Sequence, residues 1–261
     1  MDPVGWSKEE FGGAQLGDSR RLNRLLTMAM RVADSPAGTV SAAFPNAAER
    51  EGSYRLLSNK HVDPEIVAGA SHAACVVRCA GEDFVFIPED GSSLNITDNE
   101  HARGTGPIGV RKSGARGFLV MNAIAVRKDG VPLGMAGQAW WARAEKADTR
   151  DCKSKRTEEK ETKHWGDVMS KVRERFAGTG TIPWFQLDRG GDAWPVLLEA
   201  QKGGQWVTVR SSSDRRIVDR STSKRSYPRA TMAVLGSYEL PVTGGHGRAA
   251  RVAHMEVRTR P

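Results

Sequence analysis

The hydrophobic periodicity of the chain changes character at Asp83, and that change limits the folds open to it. Before Asp83, apolar residues recur at helical spacing in three stretches. Ser19–Ala33 places Leu22, Leu25, Leu26, Ala29 and Ala33 on one side of a helix that Asp18 or Ser19 can cap. Asn46–Leu57 holds Tyr54, Leu56 and Leu57. Asp63-Pro64 opens a third helix, with Asp as cap and Pro at the first helical position, running through Ile66, Val67, Ala70 and Ala74 to about Val77. Residues 1–78 are therefore expected to form an all-helical unit.

After Asp83, short apolar runs alternate with amphipathic stretches, the pattern of an α/β sheet with flanking helices. Phe84-Val85-Phe86-Ile87 has the composition of a buried strand. A glycine-rich loop, His101–Gly117, carries the basic group Arg111, Lys112 and Arg116. Phe118–Arg127 and Pro132–Trp141 are expected as strands joined at Lys128-Asp129-Gly130, a hairpin signal. Lys160–Phe176 is expected as a helix, Ile182–Leu187 as a strand, Trp194–Gln201 as a helix and Gln205–Arg210 as a strand. A polar section, 211–231, precedes two further strands at 232–240 and 250–258.

The net charge of +8 and pI near 9.6 suit a polyanionic partner but equally a basic enzyme, so the distribution of charge has to decide. In the first helix, Arg20, Arg24 and Arg31 fall within about 40° of one another, opposite the leucines, at about 100° per residue. Arg21 is adjacent, and Asp18 is the only acid from residue 12 to residue 33. This arginine stripe points to phosphate or groove contact. No run of about 18 or more apolar residues is present to span a membrane, and the N-terminus lacks the regions of a signal peptide, so a cytosolic location is expected. Three cysteines, Cys75, Cys79 and Cys152, argue against a disulfide scaffold. His72, Cys75 and Cys79 share one helical face; buried thiols of that kind more often act as small hydrophobes than as metal ligands.

Two carboxylates stand in similar settings. Asp90 and Asp188 each closely follow an apolar run and precede a glycine. Ligands of open α/β sheets gather beyond strand ends, and two such strands side by side would bring both aspartates into one cleft. Hard divalent cations take oxygen ligands of this kind, and Mg²⁺ commonly takes one or two carboxylates plus substrate phosphates. Asp before Gly after a strand is also a common turn, and Glu89 and Asp192 have similar standing on pattern alone.

Several motifs occur in an order that carries more weight than any one of them. They are Phe11 with Leu16-Gly17-Asp18-Ser19-Arg20-Arg21-Leu22; Glu51-Gly52-Ser53-Tyr54-Arg55; Gly106-Pro107-Ile108-Gly109; Gly130-Val131-Pro132-Leu133-Gly134; Trp141-Ala142-Arg143; Glu158-Glu159-Lys160-Glu161 followed by Trp165; and Asp188-Arg189-Gly190-Gly191-Asp192. In this the chain resembles the DDE-type transposases of bacterial insertion sequences, in the branch containing the transposon-five transposase. The resemblance implies a ribonuclease H-like core, 79–261, preceded by a helical DNA-end-binding domain, 1–78, with a β-rich insertion starting at about 211. It implies that Asp90 and Asp188 bind two Mg²⁺ or Mn²⁺ ions for strand cleavage and transfer. It further implies that Arg20, Arg21 and Arg24 touch end DNA, with Arg31 on the same stripe, and that Arg210 in Val209-Arg210-Ser211-Ser212 contacts phosphate. The implied partners are double-stranded DNA at transposon ends and target, and a second subunit in the DNA complex, with a monomer expected in its absence.

Three departures from the family pattern stand out. The third carboxylate, a glutamate on a late helix, has no counterpart; Glu256 lies in a strand-like segment. Met121 or Asn122 replaces the family's histidine after the basic loop, and His164 replaces an arginine before Trp165. The expectation is a cut-and-paste transposase in a truncated form lacking that glutamate; the alternative is a non-catalytic DNA-binding inhibitor of transposition.

Overall fold

An Asp-Pro pair starts two of the helices. In the computed structural model, which describes residues 2–36, 39–44, 46–96, 104–109, 114–145, 150, 154–212, 217–218, 225–226, 233–245 and 247–259, α1 (Pro3–Phe11) and α5 (Pro64–Cys79) are capped by Asp2 and Asp63. Each aspartate accepts backbone N–H groups of the first turn, which otherwise lack partners, and each proline occupies a position where a missing N–H costs nothing. The periodicity does not reveal α1, although Asp2-Pro3 signals it just as Asp63-Pro64 signals α5. Between them lie α2 (Ser19–Asp34), capped by Asp18; the one-turn α3 (Val40–Ala43); and α4 (Ala47–Leu57), capped by Asn46. Arg111, Lys112 and Cys152 lie outside the described residues.

Residues up to Arg210 form one compact unit, with a mixed sheet beside the helices. Its strands are β1 (Phe84–Asn95), β2 (Gly106–Pro107), β3 (Arg116–Val126), β4 (Pro132–Trp141), β5 (Ile182–Leu187) and β6 (Trp206–Val209). β4 pairs β3, and the order then runs β3-β1-β5-β6, with short β2 against the start of β3. β1, β3 and β4 are antiparallel neighbours, whereas β1, β5 and β6 are parallel. The connections are α6 (Lys163–Phe176) from β4 to β5 and α7 (Trp194–Lys202) from β5 to β6. A helical segment followed by a mixed sheet with flanking helices is the architecture expected of a ribonuclease H-like core.

The strands show why one face carries the helices. Val85 and Ile87 of β1 point to the same side as Phe185 and Leu187 of β5, and all four are buried. Against them pack Cys75 and Cys79 of α5, Val168, Met169, Val172 and Phe176 of α6, and Val196 and Ala200 of α7. Alternate residues project to the other face, where Phe84, Phe86, Trp184 and Trp206 form a cluster of tilted and edge-on rings. His72, Cys75 and Cys79 are buried, and among the described residues no group of three His, Cys, Asp or Glu side chains is placed to hold a metal. Both thiols pack in the core cluster, with Cys75 pushed up by its hydrogen bond to Cys79 and by burial.

The helices are tied to the sheet by a polar link. Arg78 of α5 pairs with Glu10 of α1 at 2.7 Å and donates to the Leu133 carbonyl of β4, while Ser71 donates to Glu10. Glu10 is almost wholly buried, so removing Arg78 would leave a buried carboxylate without its cationic partner. The second unit, Ser211–Pro261, is built on an antiparallel pair, β9 (Ala233–Val242) and β10 (Arg251–Thr259), with a bulge at Val257/Arg258. It also holds the two-residue pair β7 (Ile217–Val218) and β8 (Arg225–Ser226). Glu256 lies in β10 and pairs with Arg258.

Burial, reinforced by the charges of Arg175 and Lys171, pushes the His72 imidazole down to about 4. An unfolded histidine titrates near 6.5, so stability is complete above that pH and declines as the pH falls towards 4. His72→Gln should flatten the loss of melting temperature between pH 7 and pH 4.5; an unchanged slope would count against this assignment.

Candidate functional site

The parallel pairing of β1 with β5 sets Phe84 opposite Ile182 and Glu89 opposite Leu187. Asp90 and Asp188 are the next residues along these two neighbouring segments, in a sheet whose strands lie about 4.8 Å apart. Both line one cavity of about 540 Å³, with Gly91, Ser92 and Ser93 of β1, Met121 of β3, Trp141, Arg143, Glu161 and Trp165 among its other walls. The two aspartates that stood 98 residues apart in sequence (188 − 90) thus share a cleft.

Their local settings differ from the expected ones in one respect. Asp188 does follow its strand: its Oδ1 accepts the Gly190 N–H at 2.6 Å, and Gly190-Gly191 form the turn. The turn needs glycine for close approach, because a Cβ at Gly190 would sit 3.0 Å from Asp188 Oδ1 and 3.1 Å from the Trp165 ring. Asp90, by contrast, lies inside its strand. β1 continues through Gly91 to Asn95, paired residue by residue with β3. The apolar run ends at Ile87 because the later residues reach an exposed end of the sheet, where Ser92 and Ser93 need no apolar partner. Gly91 is strand rather than turn.

Strand alternation also separates Asp90 from Glu89. Glu89 projects to the helix-covered side, is 2% exposed, and has no hydrogen-bond partner on either oxygen. Burial alone pushes its carboxyl up to about 9, so it is a neutral acid at neutral pH. Asp192 is buried behind the glycine turn and does not line the cavity. Met121 is buried core, and Asn122 accepts from Gln138 at 2.7 Å.

The arginine stripe is less open than its helical wheel suggests, because α4 lies along part of it. Arg31 donates from Nε and Nη2 to both oxygens of Glu49, each at 3.0 Å. Arg24 lies over Gly52, where an added Cβ would come within 2.6 Å of its guanidinium carbon. Glu49 and Gly52, three apart on α4, thus offer a carboxylate and a gap to two arginines of α2. Arg21 donates to the Leu16 carbonyl at 2.9 Å, while Arg20 is exposed at the start of the helix. Arg210 is exposed just past β6, and its N–H donates to the Leu187 carbonyl beside Asp188.

Residues 3–62, covering α1 to α4, match a family model described as transposase DNA-binding. The match supports a transposase, and a DNA-binding role for its helical segment. That segment contains the whole arginine stripe. No helix among the described residues is long and apolar enough to cross a membrane.

For Glu89, the raised native value means that stability is complete below about pH 4.5 and declines as the pH rises towards 9. Glu89→Gln, which keeps shape and removes the titration, should raise the melting temperature more at pH 8 than at pH 5. An equal shift at both pH values would contradict a buried neutral acid.

Proposed function

We propose that this chain is a cut-and-paste DNA transposase of the DDE type, in which the helical segment 1–78 holds transposon-end DNA and Asp90 and Asp188 in the core, 79–261, serve strand cleavage and transfer. The observation that carries the reading is the shared cavity of the two aspartates, one within β1 and one just past the end of its parallel neighbour β5, in a chain whose N-terminal helices match a transposase DNA-binding model. The sequence resemblance to the branch containing the transposon-five transposase guides the details, including a homodimer on DNA.

The donor set suits Mg²⁺ or Mn²⁺. Asp90 and Asp188 present hard carboxylate oxygens in one cleft, and Mg²⁺ commonly takes one or two carboxylates, with phosphate oxygens completing its shell. When bound, such ions supply an activated water and stabilise the oxygens of an in-line phosphoryl transfer. The chain's own residues provide the frame. Gly91 and Gly190 donate to Oδ1 of Asp90 and Asp188, fixing each carboxylate's orientation. Trp165 packs under the Gly190-Gly191 turn and holds Asp188 against the strand end. On the DNA side, Arg20 is the most accessible of the stripe residues and is assigned phosphate contact, with Arg21 and Arg24 nearby. Arg31 acts mainly by joining α2 to α4.

Two measurements test the reading together. Arg20→Ala should weaken duplex binding and reduce its salt dependence by about one unit of slope, whereas Arg31→Ala should chiefly lower the melting temperature. Asp90→Asn and Asp188→Asn should leave duplex binding intact while removing Mg²⁺-dependent nicking of supercoiled DNA by at least about 100-fold. Nicking that survives both substitutions would refute the catalytic assignment. Binding with no nicking by the unmodified chain would favour the inhibitor reading.

A further inference from the structure

Two of the ordered sequence segments and one departure have no task in this reading: Trp141-Ala142-Arg143, Glu161 and His164. The fold brings them together on one wall of the aspartate cavity. Arg143, two residues past the end of β4, donates from Nε and Nη2 to the two oxygens of Glu161, in the turn before α6, at 2.5 and 2.7 Å. Next to this pair the Trp141 ring stacks on His164, with centroids 3.9 Å apart and planes inclined by 17°. Trp141, Arg143 and Glu161 all line the cavity that holds Asp90 and Asp188.

The charges of the cavity set the problem. Its described lining includes three carboxylates, Asp90, Asp188 and Glu161, and one cationic side chain, Arg143. A phosphodiester entering such a space is repelled by the acids, and among the described lining residues Arg143 is the cation it meets. Yet Arg143 is bonded through its fork to Glu161, a geometry that fits carboxylate and phosphate equally well. The pair is not deeply buried: the side chains are 30% and 47% exposed. Ion pairs in that setting are weak, so exchanging the carboxylate for a phosphate costs little. Without DNA, Glu161 commits both of its oxygens to Arg143.

We infer that Arg143 is a phosphate-binding residue of this site, held in place by Glu161 until a backbone phosphodiester of the bound DNA takes the carboxylate's place. The inference rests on the nucleic-acid reading above. The Trp141–His164 stack fixes the end of β4 against α6, so that the guanidinium stays at the cavity wall in either state. Glu161 acts through Arg143 and is a positioning residue.

The test uses the full chain and a fluorescent 30-base-pair duplex, with Ca²⁺ in place of Mg²⁺ and affinity followed across a salt series. Arg143→Ala should weaken binding about tenfold at 0.15 M salt and lower the salt slope by about one. Glu161→Gln, which releases the guanidinium, should tighten binding about threefold, and that gain should vanish when Arg143→Ala is also present. Melting temperatures establish that each variant is folded, and Arg143→Lys, which keeps the charge without the fork, should fall between the wild type and Arg143→Ala. Two results would overturn the inference while leaving DNA binding intact: Arg143→Ala matching the wild type in affinity and slope while Arg20→Ala weakens binding, or Glu161→Gln weakening binding as much as Arg143→Ala. Failure of the unmodified chain to bind the duplex would overturn both this inference and the nucleic-acid reading.

Discussion

The parallel pairing of β1 with β5 is the constraint on which the candidate site depends. Val85, Ile87, Phe185 and Leu187 lock the register from the buried side. A slip of one residue would turn that face outward and drive Phe86 and Trp184 into the helix layer, so register is strongly specified. Asp90 and Asp188 inherit their proximity from this lock. The site is therefore a consequence of core packing as much as of its own polar chemistry, and α6 contributes twice: its apolar face covers the strands, and its first turn places Trp165 beneath the Asp188 turn.

Neighbouring acids in one strand meet opposite fates for the same reason. Glu89 and Asp90 differ by one peptide unit, but the pleat sends one carboxyl into the core and leaves the other exposed at the cavity. The first becomes a neutral acid through desolvation; the second keeps solvent access and a backbone donor. A similar division runs through the basic residues. Arg31 and Arg78 are bound to Glu49 and Glu10 and hold helices together, whereas Arg20 stays at the surface. Net positive charge thus overstates the cationic surface left for a partner.

Much of the fold was legible in the sequence where burial imposes a pattern. Pro132–Trp141 and Ile182–Leu187 match their strands end to end, because both have core-facing residues along their length. The second half of β1 was not legible, because Gly91-Ser92-Ser93 is held by pairing with β3 rather than by apolar contacts. α1 escaped periodicity because its nine residues carry little apolar contrast, although its cap was in plain view. The two aspartates were legible as candidates, but nothing local distinguished Asp90 from Glu89 or Asp188 from Asp192. That distinction needs the pleat and the turn. Contacts such as Arg31 with Glu49, Glu10 with Arg78, and Arg143 with Glu161 join residues 18, 68 and 18 positions apart, and no local spacing announces them.

The central claim is that Asp90 and Asp188 form one divalent-metal cleft. Crystals of the full chain grown with Mn²⁺ and a short DNA duplex, with data collected to give anomalous signal from manganese, test it most directly. The account predicts manganese within about 2–2.5 Å of carboxylate oxygens from both aspartates, a typical metal–oxygen span. Manganese bound elsewhere, with the two carboxylates turned apart, would contradict it.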